Sequence, residues 1–441
     1  MILIGIIYYA ITVPYLIIHF RKNYITPSLI FLLMQLLMLT GILMSNTYPV
    51  YYLQKLSLMY LIAAIFFIFG NKLIDYIMGA AKENKQSTLE KNNINLYFSE
   101  KNPSKYQYFI IYSLILLSIL VCMWFYANAG INIFLESAKN FIDGGNEVFS
   151  SQRKEFGDIP GVGYIYQFRT IILPVLNVFL ILGVKNKKIK RVGILIAPLT
   201  VVFLLGTGQR NAFVFVMLFS LVYIMILNKA FGIKISKTKG TLVFFLATTF
   251  LAILTISNGR VASDSGNIYT GAIFSLVDRI TGVNSRSALN AFIYIDSQPT
   301  VWGYDWLMML ADILPGKSGY MSVASITYHS LYGTYRGTEP PDIWGSAFYN
   351  WSWFGIILFP FFLGLLYQYI HKIFARKLKT KIDVLIYAAL CTFLGIWISD
   401  SPMVLFNNGV VTIFLMYIML KFKISFLTNN KPNRRVQKLL N

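Results

Sequence analysis

The sequence predicts an all-α polytopic membrane protein with about eleven transmembrane helices, on three observations. Of 441 residues, 56% are hydrophobic and only 13% are charged, with mean hydropathy +0.60. A soluble domain carries about a quarter charged residues, so a water-soluble globule of this size is excluded. Second, the apolar residues gather into runs long enough to span a bilayer, for which about 20 residues suffice. Third, the basic residues fall on alternate connections between those runs.

The runs, in order, are 1–20, 27–44, 51–70, 106–127, 164–184, 192–207, 211–228, 240–257, 343–370, 382–399 and 404–420. No basic residue precedes the first run, Arg21 and Lys22 follow it, and no small-residue cleavage site appears. It is therefore expected to be a retained helix with its N-terminus outside, not a signal peptide. Alternation from there puts the C-terminus in the cytoplasm and makes residues 1–441 one integral membrane domain. Cytoplasmic loops should hold the Lys and Arg. The segments expected inside carry 28 of the 39 basic residues and five acids, whereas those outside carry eight basic residues and thirteen acids. The formal charge of +21 would point to nucleic acid in a soluble chain. Here it reports topology, and no nucleic-acid partner is expected.

Two outside loops are long, 128–163 and 258–342, and loops of that length commonly carry function. In the second, the stretch from Tyr304 to Leu314, stopped by Pro315-Gly316, fits a short helix lying in the membrane interface. The apolar runs hold almost no carboxylate or histidine, which disfavours ion-coupled transport. Lys55 is the one deep cation, and it lies close enough to its helix end to reach the outer surface. No phosphate loop, nucleophile elbow or zinc motif occurs. Cys122 and Cys391 lie in apolar runs and read as packed thiols, and no metal or cofactor is expected.

The chemistry is thus expected at the outer face. Gly206-Thr207-Gly208-Gln209-Arg210-Asn211 interrupts two apolar runs and opens a helix whose N-terminus faces outward. Free N–H groups and the positive dipole end suit a phosphate, and Arg210 adds a forked cation. An arginine reaching lipid headgroups from a turn would look the same. Arg260, Arg279, Arg286 and Arg336 are outer-loop arginines able to bind pyrophosphate bidentately, although Arg279 could pair with its neighbour Asp278. His329, Glu339 and Asp342 are candidate general bases for a sugar hydroxyl. The alternative is a polar loop with a structural histidine. Arg153, Arg169, Tyr328 and Tyr335 are candidate acceptor or glycan contacts.

The many apolar runs, the two outside loops, the Gly206–Asn211 stretch, and Pro340-Pro341 followed by Gly345, Asn350 and Gly355 resemble the oligosaccharide repeat-unit polymerases of the Wzy type. Some members show Arg, ten residues, then Gly in outside loops. Arg260 and Gly271 have that spacing, whereas Arg153 is followed at the same place by Tyr164. The resemblance implies a metal-independent, GT-C-like glycosyltransferase of the bacterial cytoplasmic (inner) membrane, its active site facing the periplasm or exterior. The reaction it implies moves a growing glycan from undecaprenyl pyrophosphate to a new lipid-linked repeat unit, building O-antigen or capsule. It also implies the lipid bilayer, the undecaprenyl-pyrophosphate-linked glycan and a chain-length regulator as partners. The O-antigen ligases of lipopolysaccharide assembly share the architecture and use outside arginines and a histidine, types matched here by Arg210, Arg286 and His329. A ligase, a lipid-linked oligosaccharide flippase and a membrane O-acyltransferase therefore stand as alternatives.

Overall fold

The computed structural model describes residues 1–83, 103–143, 161–231, 282–314, 320–335, 337–377, 380–397 and 401–421, with Phe156, Ile159 and Asp278. Among the described residues every regular element is a helix. In chain order these are α1 (Ile2–Asn23), α2 (Pro27–Leu43), α3 (Val50–Glu83), α4 (Lys105–Ala129) and α5 (Ile133–Ile142). Next come α6 (Val162–Gly183), α7 (Lys187–Leu205) and α8 (Arg210–Phe231). Then follow α9 (Asn284–Asp296), α10 (Tyr304–Ala311), α11 (Val323–Tyr332), α12 (Ile343–Lys377), α13 (Lys381–Gly395), α14 (Val404–Asn407) and α15 (Val410–Lys421).

Local sequence sets the helix starts. The Thr26 hydroxyl accepts from Leu29 N–H ahead of Pro27, which needs no partner at that position. Ser104 with Gln107 and Thr380 with Asp383 form reciprocal capping boxes for α4 and α13.

The chain is a multi-pass membrane protein, helical throughout its described regular elements. Six described helices, α1, α3, α4, α6, α8 and α12, are long and apolar enough to cross a membrane, and α2 and α15 are shorter apolar helices. Eleven spans were expected, and the other runs that are described form shorter helices or carry charges at one end. Run 240–257 lies outside the described residues. Helix α13 stops at Gly395 after 15 residues. A turn at Asn408-Gly409, where Gly409 has φ 75°, cuts run 404–420 into α14 and α15. Helix α7 opens on Lys187, Lys188, Lys190 and Arg191, which leaves too short an apolar stretch behind them.

Contacts sort the helix ends into two groups. At one end Tyr24 Oη donates to Met225 O (3.2 Å), Tyr387 Oη to Ile25 O (3.1 Å) and Gln107 Nε2 to Leu420 O (3.0 Å). The Lys372–Asp75 and Lys421–Asp383 pairs join the same end. At the other, Tyr48 Oη donates to Asn290 Oδ1 (2.9 Å), Ile133 N to Gly206 O (2.7 Å) and Tyr164 Oη to Ile313 O (2.6 Å). Each group holds only ends that strict alternation assigns to one side. The second group is the end expected to face outward.

Helices α3 and α12 cross at a mutual glycine contact. A Cβ on Gly70 would lie 2.2 Å from Phe361 O, and one on Gly364 would lie 2.2 Å from Phe67 O. Such small residues let backbones approach where lipid supplies no hydrophobic drive. Near its start α12 bends at Ser352, whose φ of 51° is left-handed. The segment before the bend anchors the second loop: Val301 N–H donates to Tyr349 O, Gly303 N–H to Asn350 O and Trp306 Nε1 to Ser346 Oγ. Asp305 is fully buried there and accepts from Tyr320 Oη (2.7 Å). On the other side of α10, Trp302, Tyr304, Leu307 and Leu314 are exposed, as an interfacial helix requires.

Candidate functional site

Helix α6 begins at the end expected to face outward, and its ladder is irregular. Pro174 lacks the N–H that would bond Thr170 O, and a π-helical turn over Phe168–Ile172 absorbs the mismatch. A second π turn spans Phe179–Gly183. Such turns are rare and concentrate at functional sites. The first carries Arg169 inward until the residue is 2% exposed.

The partners of Arg169 are all neutral. Its Nη1 donates to Thr207 Oγ1 (2.6 Å) and Tyr126 Oη (3.3 Å), and its Nη2 donates to Gln209 Oε1 (3.3 Å). The guanidinium lies over the Tyr166 ring, 4.9 Å from its centroid. Among the described residues no carboxylate pairs with it. Taking an ion out of water costs several kcal/mol, which hydrogen bonds and a ring face offset only in part. Three bonds use part of a five-donor fork, so N–H groups remain for a further acceptor.

Those groups border a cavity of about 200 Å³, lined by Phe125, Phe156, Val162, Ile165, Tyr166, Arg169, Thr207 and Gln209. One water needs roughly 15 Å³, so a polyatomic anion fits. The cavity is aromatic and aliphatic on one side and cationic on the other. It therefore suits an anionic group carrying an apolar extension. The Gly206–Asn211 interruption supplies its polar wall, and Arg210 opens α8 directly after Gln209.

The remaining expected site residues lie elsewhere. Arg153, Arg260, Arg279 and Arg336 fall outside the described residues, as does the side chain of Arg210. Asp278 takes Arg286 in a two-pronged pair at 2.9 and 2.7 Å, and its expected pairing with Arg279 lies outside the described residues. The hydrogen-bonded guanidinium holds the Asp278 carboxyl below its usual range. Lys55 does not reach for solvent but pairs with Asp296 on α9 and lies over Phe348, 5.1 Å from the ring centroid.

His329, near the end of α11, stacks on Tyr335 with centroids 3.9 Å apart. Tyr328 packs against Tyr332, whose hydroxyl donates to Glu339 (3.1 Å). Asp342 is fully buried and accepts from Gly345 N–H at the start of α12. Burial pushes its carboxyl up to about 6, against the pull of Tyr60 and the Gly345 N–H. The Tyr60 hydroxyl of α3 faces this carboxylate. Among the described residues no contact joins His329, Glu339 or Asp342 to the Arg169 cavity. Sequence reasoning gave Arg169 a minor place, singled out the Gly206–Asn211 stretch for its backbone and Arg210 and not for the Thr207 and Gln209 side chains, and passed over Tyr126 and Tyr166. The signal was present: an arginine inside an apolar run with no acid at helical spacing.

Together these features define a class, a multi-pass membrane protein, helical throughout its described residues, with a cavity bordered by a buried arginine near one set of helix ends. No family model, no curated protein and no solved structure matches the chain.

Proposed function

We propose that the protein is a glycosyltransferase that polymerises undecaprenyl-pyrophosphate-linked oligosaccharide repeat units into O-antigen or capsule at the outer face of a bacterial cytoplasmic membrane. The observation that carries this reading is the buried Arg169 guanidinium, held by neutral partners beside a cavity with an apolar wall. In the reaction the bond between anomeric carbon and pyrophosphate oxygen breaks, and a glycosidic bond to the acceptor oxygen forms. The leaving lipid pyrophosphate gains negative charge, which a fixed cation in a dry site stabilises better than mobile water. Arg169 takes that role in this reading, with Arg210, Arg260, Arg279, Arg286 and Arg336 as further cations.

The proton of the acceptor hydroxyl goes to His329, or to Glu339 in its place. Asp342 is not given that role: a base must come within hydrogen-bond reach of substrate, and this carboxylate is sealed from solvent. Purified protein with a synthetic undecaprenyl-pyrophosphate repeat unit tests the reading. Polymer formed without nucleotide sugar or ATP is expected, and its absence would sink the proposal.

The siting of Arg169 inside an apolar span also favours a second reading, a flippase that moves the same lipid-linked glycan. Entry of repeat units into vesicles without change in glycan length would select it. A ligase differs in the host: its deletion leaves no glycan attached, whereas deletion of a polymerase leaves single units attached.

A further inference from the structure

A second, smaller cavity shares a wall with the first. Tyr166 lines both, and the smaller one is closed by Thr170 of α6, Phe215 of α8, Phe393 of α13 and the Asn407-Asn408 pair. Its volume is about 20 Å³. That exceeds the roughly 10–15 Å³ a water needs, and a water or hydroxyl also requires two to four polar partners. The partners are present. Asn408 Nδ2 makes only a long bond to Phe393 O (3.4 Å), and Asn407 is exposed at the rim. The Thr170 hydroxyl donates to Tyr166 O (2.8 Å), which leaves its lone pairs to accept.

Two features fix the asparagines. The backbone turns sharply at Gly409 (φ 75°), where a Cβ would lie 2.4 Å from the Ile171 side chain. Just beyond the turn, Thr412 Oγ1 donates to Gln167 Oε1 (2.7 Å), and Gln167 Nε2 donates to Phe406 O (3.0 Å). Both ends of the Asn407-Asn408 turn are therefore pinned to α6, the helix that carries Arg169.

We propose that this slot is a hydroxyl-binding subsite, which takes one hydroxyl of the acceptor sugar while the sugar ring rests on the Asn407 rim. The identity of the acceptor rests on the polymerase reading. A planar amide can donate to and accept from a sugar hydroxyl at once, and Tyr166 offers a ring face beside it. Among the described residues no carboxylate, histidine or lysine lines the slot, so it positions the acceptor and leaves the proton to another residue. In the absence of sugar a water fills it.

A lipid-free repeat-unit oligosaccharide separates acceptor from donor, because without pyrophosphate it can only accept. Steady-state transfer to that probe is measured for wild type, Asn407→Ala/Asn408→Ala and Thr170→Val, the last keeping the side-chain shape if the first folds poorly. The expected result is a rise of about tenfold in acceptor KM with kcat retained, one hydrogen bond's worth of affinity. Unchanged KM in both variants overturns the slot and leaves the polymerase reading standing. If wild type transfers nothing, that reading fails, and a cryo-EM map judges the slot alone. An ordered water bonded to Asn408 and Thr170 in wild type, lost in Thr170→Val, supports the subsite. An empty slot in wild type overturns it.

Discussion

The Arg169 guanidinium donates to the Thr207 hydroxyl at 2.6 Å, and by that bond a cation inside one apolar segment is held by the polar break between two others. The two residues lie 38 positions apart, and neither has a charged partner in the other's neighbourhood among the described residues. Function and stability are therefore expected to respond in opposite directions to removal of this charge.

Arg169→Met should abolish long glycan, a loss of about 100-fold or more in rate. It should leave the thermal midpoint in detergent unchanged or raised, because a buried ion without a counter-ion is often replaced by an apolar side chain at no cost in stability. Arg169→Lys should not rescue, since a point charge cannot reproduce the fork. Activity and melting curves of the three proteins check this, and a strongly destabilised but active Met variant would contradict it.

Lys55 and Asp296 are both largely buried, with side-chain exposures of 22% and 11%. Lys55→Met or Asp296→Asn alone strands a charge and should cost about 2 kcal/mol. The double variant should recover most of that loss. A thermodynamic cycle measured by chemical denaturation in micelles decides it, and simple additivity would show that the two charges do not interact.

The Asp278–Arg286 pair is half exposed, so Asp278→Asn should change stability by less than about 1 kcal/mol. The substitution releases the Arg286 fork. If Arg286 serves the pyrophosphate, activity should hold or rise in Asp278→Asn and fall in Arg286→Ala. Equal losses in both would mark the pair as a structural clasp.

Asp342 gives a pH dependence with a definite sign. Burial raises its carboxyl from 3.8 to about 6, so between those values the folded protein binds the proton and the unfolded chain does not. Stability should therefore fall as pH rises through that window and level off above it. Asp342→Asn keeps an acceptor for the Gly345 N–H and should flatten this part of the profile. Melting temperatures recorded from pH 4 to 7 test it, and an unchanged slope in the variant would assign the effect elsewhere.

The helices were legible in the sequence because the bilayer allows a single solution for an apolar run. The run boundaries at Asn23, Leu43, Ala129 and Leu205 fall within a few residues of those expected. Local breaks were less legible. Ser352 carries no sequence sign of its left-handed backbone, and the turn at Gly409 hides in an apolar stretch.

At the site, the Gly206–Asn211 interruption was readable as a polar break. The association of Thr207 and Gln209 with Arg169 was not, since it depends on how α6 packs beside α7 and α8. Pairings were the hardest to read. Asp278 takes Arg286, 8 positions along the chain, a pairing that adjacency in sequence does not suggest.

The Lys55–Asp296 pair joins residues 241 positions apart. During synthesis Lys55 enters the membrane while Asp296 is still untranslated, and at about 5–20 residues per second the wait lasts of the order of tens of seconds. Through that interval the ammonium has no carboxylate from α9, and that end of α3 stands open. Closure by Asp296 thus comes late in assembly, and a ribosome-stalled chain ending before α9 would present Lys55 uncapped to whatever chaperone or lipid attends the nascent protein.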